Sequence, residues 1–226
     1  MSTIALATQN PGKIAELRSL LGGLNIHIIG LSDIEDSFPE PEENGDTFLD
    51  NATIKAIEYA KATGRPCLAD DSGLVIDAIG GRPGVISSHY AFDGETDGRA
   101  AEMTRQQRDD HNIDRVLAEL DEFEPEERTA RFVCVMVLAD SDGSILATSE
   151  GKFEGRIGLP VDHPHATPSD SVPRGHNGFG YDPIFLVAPD YIQTSAELDS
   201  DAKNTISHRG NAVRDMIEQI KTLNLS

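Results

Sequence analysis

Cysteine is nearly absent from this sequence: Cys67 and Cys134 are the two in 226 residues, far apart and in no Cys-x-x-Cys pair. That excludes a disulfide framework or a thiolate zinc site as the basis of the fold. No apolar run approaches the roughly 20 residues of a membrane-spanning helix. The opening residues Met1 to Leu6 lack the basic start of a secretory signal. These absences together predict a reducing cytoplasm. Positive charge is scarce as well: 19 Lys and Arg stand against 39 Asp and Glu, for a net charge of −20. Such a surface repels nucleic-acid polymers and anionic membranes, so neither is expected as a partner. A small anionic ligand would have to be drawn in by a few local cations and a bound metal. A salt-rich habitat is a second source of such acidity. Neither internal repeats nor low-complexity tracts are visible.

What is present is an ordinary globular composition, 38% hydrophobic and 26% charged, in a chain long enough for one large domain or two small lobes. Thr3 to Thr8 reads as a short buried strand. After the loop Gln9-Asn10-Pro11-Gly12, Ile14, Leu17, Leu20 and Leu21 recur at helical spacing and stop at Gly22-Gly23. Asn10 suits the N-cap and Pro11 the first helical position. A Pro/Glu-rich loop spans Phe38 to Gly45. The next helix opens at Asp46 or Thr47, with Asp50 placed as in a capping box, and ends at Gly64. Cys67-Leu68-Ala69 predicts a strand ending at Asp70-Asp71-Ser72-Gly73.

Asp93 to Asp110 reads as an exposed insertion and Asn112 to Leu120 as a short helix. Arg131 to Ala139 and Ser144 to Thr148 predict a hairpin about Ser141-Asp142-Gly143. Leu159 to Gly178, with four prolines, reads as a mobile loop. Gly178 to Val187 reads as strand. A last helix begins near Ser207 with Val213, Met216, Ile217, Ile220 and Leu223 on one face. The sum is a mixed α/β fold, a sheet flanked by helices.

Four places could carry chemistry. The turn Thr8-Gln9-Asn10-Pro11-Gly12-Lys13 runs from a strand into a helix start, where free N–H groups and the positive dipole end suit phosphate. It is not a Walker loop, because Ala7 replaces the first glycine and Ile14 the Ser/Thr; a plain capped turn is the alternative. Lys13 opposes the helix dipole and so needs some other reason to be there. Glu42, Glu43, Asp70 and Asp71 form an acidic set. Neighbouring strand residues face opposite sides, so one of Asp70 and Asp71 points into any given cleft. Two oxygen ligands from separate segments, completed by phosphate and water, are how Mg2+ is usually held. Solvated carboxylates are the alternative. Asn51 and Lys55 share a helix face.

Gly178-Phe179-Gly180-Tyr181-Asp182-Pro183 lets a flat ligand approach an aromatic ring, or forms a tightly bent core strand. Ser207-His208-Arg209-Gly210 places two donors in a first helical turn, where they again oppose the dipole. Their partner must carry acceptors: a phosphate, a carboxylate or a base carbonyl. His163 and His165 flank Pro164 and make a weak metal candidate.

Taken in order, TQNPGK, TFLDNATIKA, LADDSGL, GGRPGV, GFGYDPIF and ISHRGNA resemble the inosine triphosphate pyrophosphatase family, whose members cleave abnormal purine nucleoside triphosphates (ITP, dITP, XTP) to monophosphate and pyrophosphate. The resemblance covers nearly the whole chain. It implies an elongated α/β fold, one domain over residues 1–226 with two lobes around a central mixed sheet and a long substrate cleft. It also implies a homodimer and a requirement for Mg2+. Carried over by motif, Thr8, Gln9, Asn10, Pro11, Gly12, Lys13, Lys55 and Ser72 would hold the triphosphate. Glu42 and Asp71 would serve the metal, with Asp71 also the proton acceptor for the attacking water. Phe179 would stack on the base among Gly180, Tyr181 and Asp182, and Lys203, His208 and Arg209 would read it. The chain departs from the family pattern at His89, where many relatives have Arg, and in the length of the 93–110 and 159–178 stretches. A related enzyme for modified pyrimidine nucleotides and a nucleotide sensor without turnover are the rival readings.

Overall fold

A computed structural model describes residues 3–8, 11–22, 26–34 and 38–223. Gln9, Asn10 and Gly23 lie outside the described residues, as does any cap that Asn10 would form. In chain order the elements are β1 (Thr3–Leu6), α1 (Pro11–Leu21), β2 (His27–Gly30), α2 (Phe48–Thr63), β3 (Cys67–Ile76), α3 (Gly98–Ala101), α4 (Arg105–Glu119), β4 (Thr129–Ala139), β5 (Ile145–Ile157), β6 (Leu159–Pro160), β7 (Ser171–Val172), β8 (Phe185–Val187), α5 (Ser200–Ile206) and α6 (His208–Thr222). Six strands form one mixed sheet in the order β2-β1-β3-β4-β5-β8, and β6 pairs with β7 separately. β1 is parallel to both of its neighbours, with Leu6 beside Gly30 on one side and Leu68 on the other, whereas β5 and β8 are antiparallel.

The chain divides into two compact units. One comprises Met1–Ser72, Cys134–Gly151 and His208–Ser226, the other Gly73–Val133 and Lys152–Ser207. β3, β4 and β5 contribute residues to both. In the first unit, Ile14, Leu17 and Leu21 of α1 and Val213, Met216 and Ile220 of α6 are the buried faces the helical spacing predicts. They join Ile4, Leu6, Leu68 and Met136 of the strands in one core. α2 is capped as its sequence foretells: the Thr47 side chain accepts from the Asp50 N–H, and Gly64 ends the helix in the left-handed region. The second unit has its own core, in which Leu74, Ile76, Val116, Phe132, Phe153 and Phe185 are central.

Four expectations are corrected. α4 starts at Arg105, well inside the stretch read as an exposed insertion, because Thr104 and Gln107 form a capping box that polar composition had masked. β3 runs on through Gly73 to Ile76, and β5 to Ile157 with buried and exposed residues alternating along most of its length. Finally, 178–184 is not strand. Gly178 and Gly180 take positive φ, and the first three residues after Tyr181 turn through Pro183 before β8 begins at Phe185. The 159–178 stretch carries the β6–β7 pair, and the Thr167 N–H donates to Asp170 Oδ1 at 2.6 Å.

The seat of α6 depends on Gly151. A Cβ there would stand 2.1 Å from the His208 carbonyl oxygen and 2.4 Å from the Ala212 nitrogen. Two residues earlier, Ser149 Oγ donates to the Ala212 carbonyl at 2.9 Å. The first turn of α6 is therefore fixed against β5 by a missing side chain and one hydroxyl. Gly151→Ala must displace the turn that carries His208 and Arg209. It is expected to cost about 1–3 kcal/mol and to lower the melting temperature by several degrees. Calorimetry of the variant checks this, and an unchanged melting temperature would refute the close approach.

Candidate functional site

Within the first unit the site grows from three consecutive residues of β3. Because side chains alternate along a strand, Asp70 and Ser72 share one face and Asp71 takes the other. Both aspartates are buried. On the first face, Lys13 Nζ from the first turn of α1 reaches both Asp70 carboxylate oxygens, at 3.2 and 3.0 Å. Arg209, from the first turn of α6, donates Nη2 to Asp70 Oδ2 at 3.4 Å and to Ser72 Oγ at 3.3 Å. Burial pushes the Asp70 carboxyl up, but Lys13 and Arg209 outweigh it and hold the group well below the usual carboxylate range. Two cations that oppose their own helix dipoles thus share one buried anion. Of the partners open to Arg209 from the sequence, a carboxylate is the one observed.

On the second face, Lys55 of α2 donates to Asp71 Oδ1 at 3.1 Å and to Glu43 Oε2 at 2.9 Å. The loop bearing Glu42 and Glu43 is tied to the same helix, since the Gly45 N–H donates to Asn51 Oδ1 at 2.8 Å. Across Lys55 it is Glu43 that meets Asp71, and Glu42 is exposed. Burial, and then the negative charge of Glu43, push the Asp71 carboxyl up against the pull of Lys55. The Lys55 ammonium is raised in turn: burial lowers it, and the charges of Asp71 and Glu43 more than compensate. Asp71 Oδ2 is buried and meets no hydrogen-bond partner among the described residues. A bare buried carboxylate oxygen beside a second carboxylate fits a hard divalent cation that draws its remaining ligands from phosphate and water. Among the described residues no cluster of three His, Cys, Asp or Glu could hold a metal unaided.

Thr8 closes the turn out of β1 with its N–H on the Leu6 carbonyl at 2.8 Å. Pro11 and Gly12 are described only as backbone of the first turn of α1. His208 is buried at the first position of α6.

The remaining predicted residues gather in the second unit. Asp182 is buried and organises them. It accepts from the Phe179 N–H at 2.8 Å, Ser195 Oγ at 2.7 Å and Lys203 Nζ at 2.6 Å. Gly178, at φ +80°, could not carry a side chain there, for its Cβ would fall 2.0 Å from Asp182 Oδ2. Tyr181 is core rather than rim: its ring is buried and its hydroxyl donates to the Ser87 carbonyl at 2.7 Å. Phe179 is the exposed member. Two residues of α4 that sequence reasoning missed complete the group. Arg105 lies over the Phe179 ring, and Asp109 accepts the Gly180 N–H at 3.0 Å. The signal that could have found them is the Thr104–Gln107 capping box, which starts the helix bearing both.

The profile of the Ham1 family matches residues 4–219. The chain belongs to the Ham1 family. This Ham1 chain is 43% identical over 220 residues to the dITP/XTP pyrophosphatase of Nitratidesulfovibrio vulgaris, covering 96% of this chain and 95% of that protein. The dITP/XTP pyrophosphatase of Bacillus subtilis is also 43% identical, over 95% of this chain and 94% of its own. Among solved structures, the HAM1 protein of Coxiella burnetii superposes with a TM-score of 0.80 at 40% identity, covering 99% of this chain and 100% of that one. The family and the mixed α/β class read from the sequence are thereby borne out.

Asp70 should be the electrostatic keystone of the first unit. Asp70→Asn leaves Lys13 and the buried Arg209 without their shared anion and is expected to cost about 3–5 kcal/mol. The sign with pH follows from the depressed carboxyl. Its contribution is fully present above the unfolded carboxylate value of about 3.9 and is lost as pH falls below it. The stability gap between wild type and variant, from urea melts, should therefore hold steady above about pH 5 and narrow as pH falls from about 4 toward 2. A gap of constant size would show that Asp70 is not held ionised.

Proposed function

We propose that this chain is a metal-dependent nucleoside triphosphate pyrophosphatase that hydrolyses abnormal purine nucleotides, ITP, dITP and XTP, to monophosphate and pyrophosphate. The observation that carries the reading is the near full-length identity to named dITP/XTP pyrophosphatases. The geometry around Asp71 supports it. In this reading water attacks the α-phosphorus, the bond from that phosphorus to the bridging oxygen breaks, and pyrophosphate leaves. Asp71 takes the proton of the attacking water. A carboxyl raised by burial is a better base than an exposed one, and Lys55 keeps it within reach of the ionised form. Asp71 and Glu42, with Glu43 adjacent, would hold Mg2+. The bound ion would neutralise charge growing on the phosphate oxygens. The Thr8–Lys13 turn, Lys55 and Ser72 would hold the triphosphate. Phe179 would stack on the base within the frame set by Gly180, Tyr181 and Asp182. Lys203, His208 and Arg209 would meet its carbonyl acceptors.

The reading extends to one functional domain over residues 1–226, supported by a family match that runs through both units. It extends also to a homodimer, which rests on the resemblance. The cytoplasmic setting draws support from the scarcity of cysteine, Cys67 and Cys134 both being buried. Among the described residues no helix is long and apolar enough to cross a membrane.

Two outcomes are expected. Chelator should abolish turnover and Mg2+ restore it, while Asp71→Asn should lose turnover and keep its fold; near-normal turnover in that variant would remove Asp71 from the mechanism. Across a nucleotide panel, kcat/KM for inosine and xanthosine triphosphates should exceed that for ATP by roughly a hundredfold. The reason is that adenine would set an amino donor against the donors of His208 and Arg209, at about 1–3 kcal/mol for each buried group left unpaired. Equal efficiency on ATP would defeat the base-reading role.

A further inference from the structure

Phe179 stands 47% exposed, yet its setting is fixed from three directions. Its own N–H is held by Asp182, and the next N–H, of Gly180, is held by Asp109. The guanidinium carbon of Arg105 lies 4.3 Å from the ring centroid. Arg105 and Asp109 are one helical turn apart on α4, 3.9 Å from each other. A single turn of α4 thus grips the backbone of the 178–182 turn with one residue and covers the ring with another. An open depression runs beside them, lined in part by Phe179, Gly180, Asn177, Gln106 and Asp109. A guanidinium is planar and weakly hydrated, so it can lie on an aromatic face while its edges stay in water.

We propose that Arg105 is a positioning residue for the nucleotide base: its guanidinium lies on the Phe179 ring, closer than the Lys203 ammonium 5.8 Å from the centroid, and sets the plane of that ring for a flat heteroaromatic ligand. Asp109 holds the turn on which the ring is carried. The proposal rests on the pyrophosphatase reading above, and in particular on base stacking at Phe179. Arg105 acts through the ring and not on the phosphates, so its removal weakens only ligands that possess a base.

The test uses the full chain and two probes. With inosine triphosphate as substrate, Arg105→Ala should raise KM about threefold, the scale of an exposed cation–π contact, with kcat little changed. Inhibition by inorganic tripolyphosphate, which has no base, should be unaffected. A KM equal to wild type would overturn the proposal. So would an equal weakening of tripolyphosphate, because that would mark Arg105 as a plain charge. Arg105→Lys keeps the charge and the helix start but not the plane, and should show a smaller rise in the same direction; full recovery would also overturn it. The chain has no tryptophan, so Phe179→Trp supplies a single fluorescent reporter at the ring. Saturating inosine monophosphate should quench it. Unquenched emission would sink base stacking itself and the proposal with it, whereas quenching with an unchanged KM in Arg105→Ala sinks the role of Arg105 alone.

Discussion

Two neighbouring carboxylates buried in one strand govern the first unit. Neither Asp70 nor Asp71 could remain charged there without cations, and the alternation of β3 sends them to different sources. α1 and α6 each bring a cation to Asp70, and α2 brings one to Asp71. Each helix is oriented by a charge it must deliver as well as by the apolar stripe it buries. The two sites are not equivalent. Asp70 has more positive charge around it than it needs and is locked in the ionised form. Asp71 shares Lys55 with Glu43 and keeps one oxygen bare.

The contrast also answers a question posed by composition. A chain of net charge −20 that handles an anionic ligand must concentrate its cations. Lys13, Lys55 and Arg209 are three of only 19, and all three converge on adjacent residues of a single strand. Lys203 and Arg105 are two more, gathered about Phe179 in the second unit. The acidic remainder lies elsewhere, where mutual repulsion is screened by solvent and salt.

Much of this was legible in the sequence, for identifiable reasons. α1, α2 and α6 announce themselves by apolar spacing, and α2 by its Thr47 cap and Gly64 stop. The opposite facing of Asp70 and Asp71 follows from the strand period alone. What was hidden is equally specific. The pairing of Glu43 with Lys55 depends on how the loop is tied at Gly45, which no local pattern encodes. The start of α4 lay inside a polar stretch whose only signature was a capping box. Tyr181 sits in an aromatic motif but spends its ring on the core and its hydroxyl on a backbone carbonyl, a division visible only once Ser87 is placed beside it.

β3 is buried along nearly its whole length on both faces, so apolar patterning alone does little to choose its register. The charges choose it. A slip by one residue in one direction would set Asp71 before Lys13 and Arg209 and Ser72 before Lys55; in the other it would set Asp70 before Lys55 and Ala69 before Lys13 and Arg209. Either way one of the two cation sites would lose its carboxylate from β3. The misaligned sheet would keep most of its hydrophobic contacts and lose its charge balance. Ionic pairing here acts as an alignment key during folding, rejecting a pairing that hydrophobic burial would tolerate.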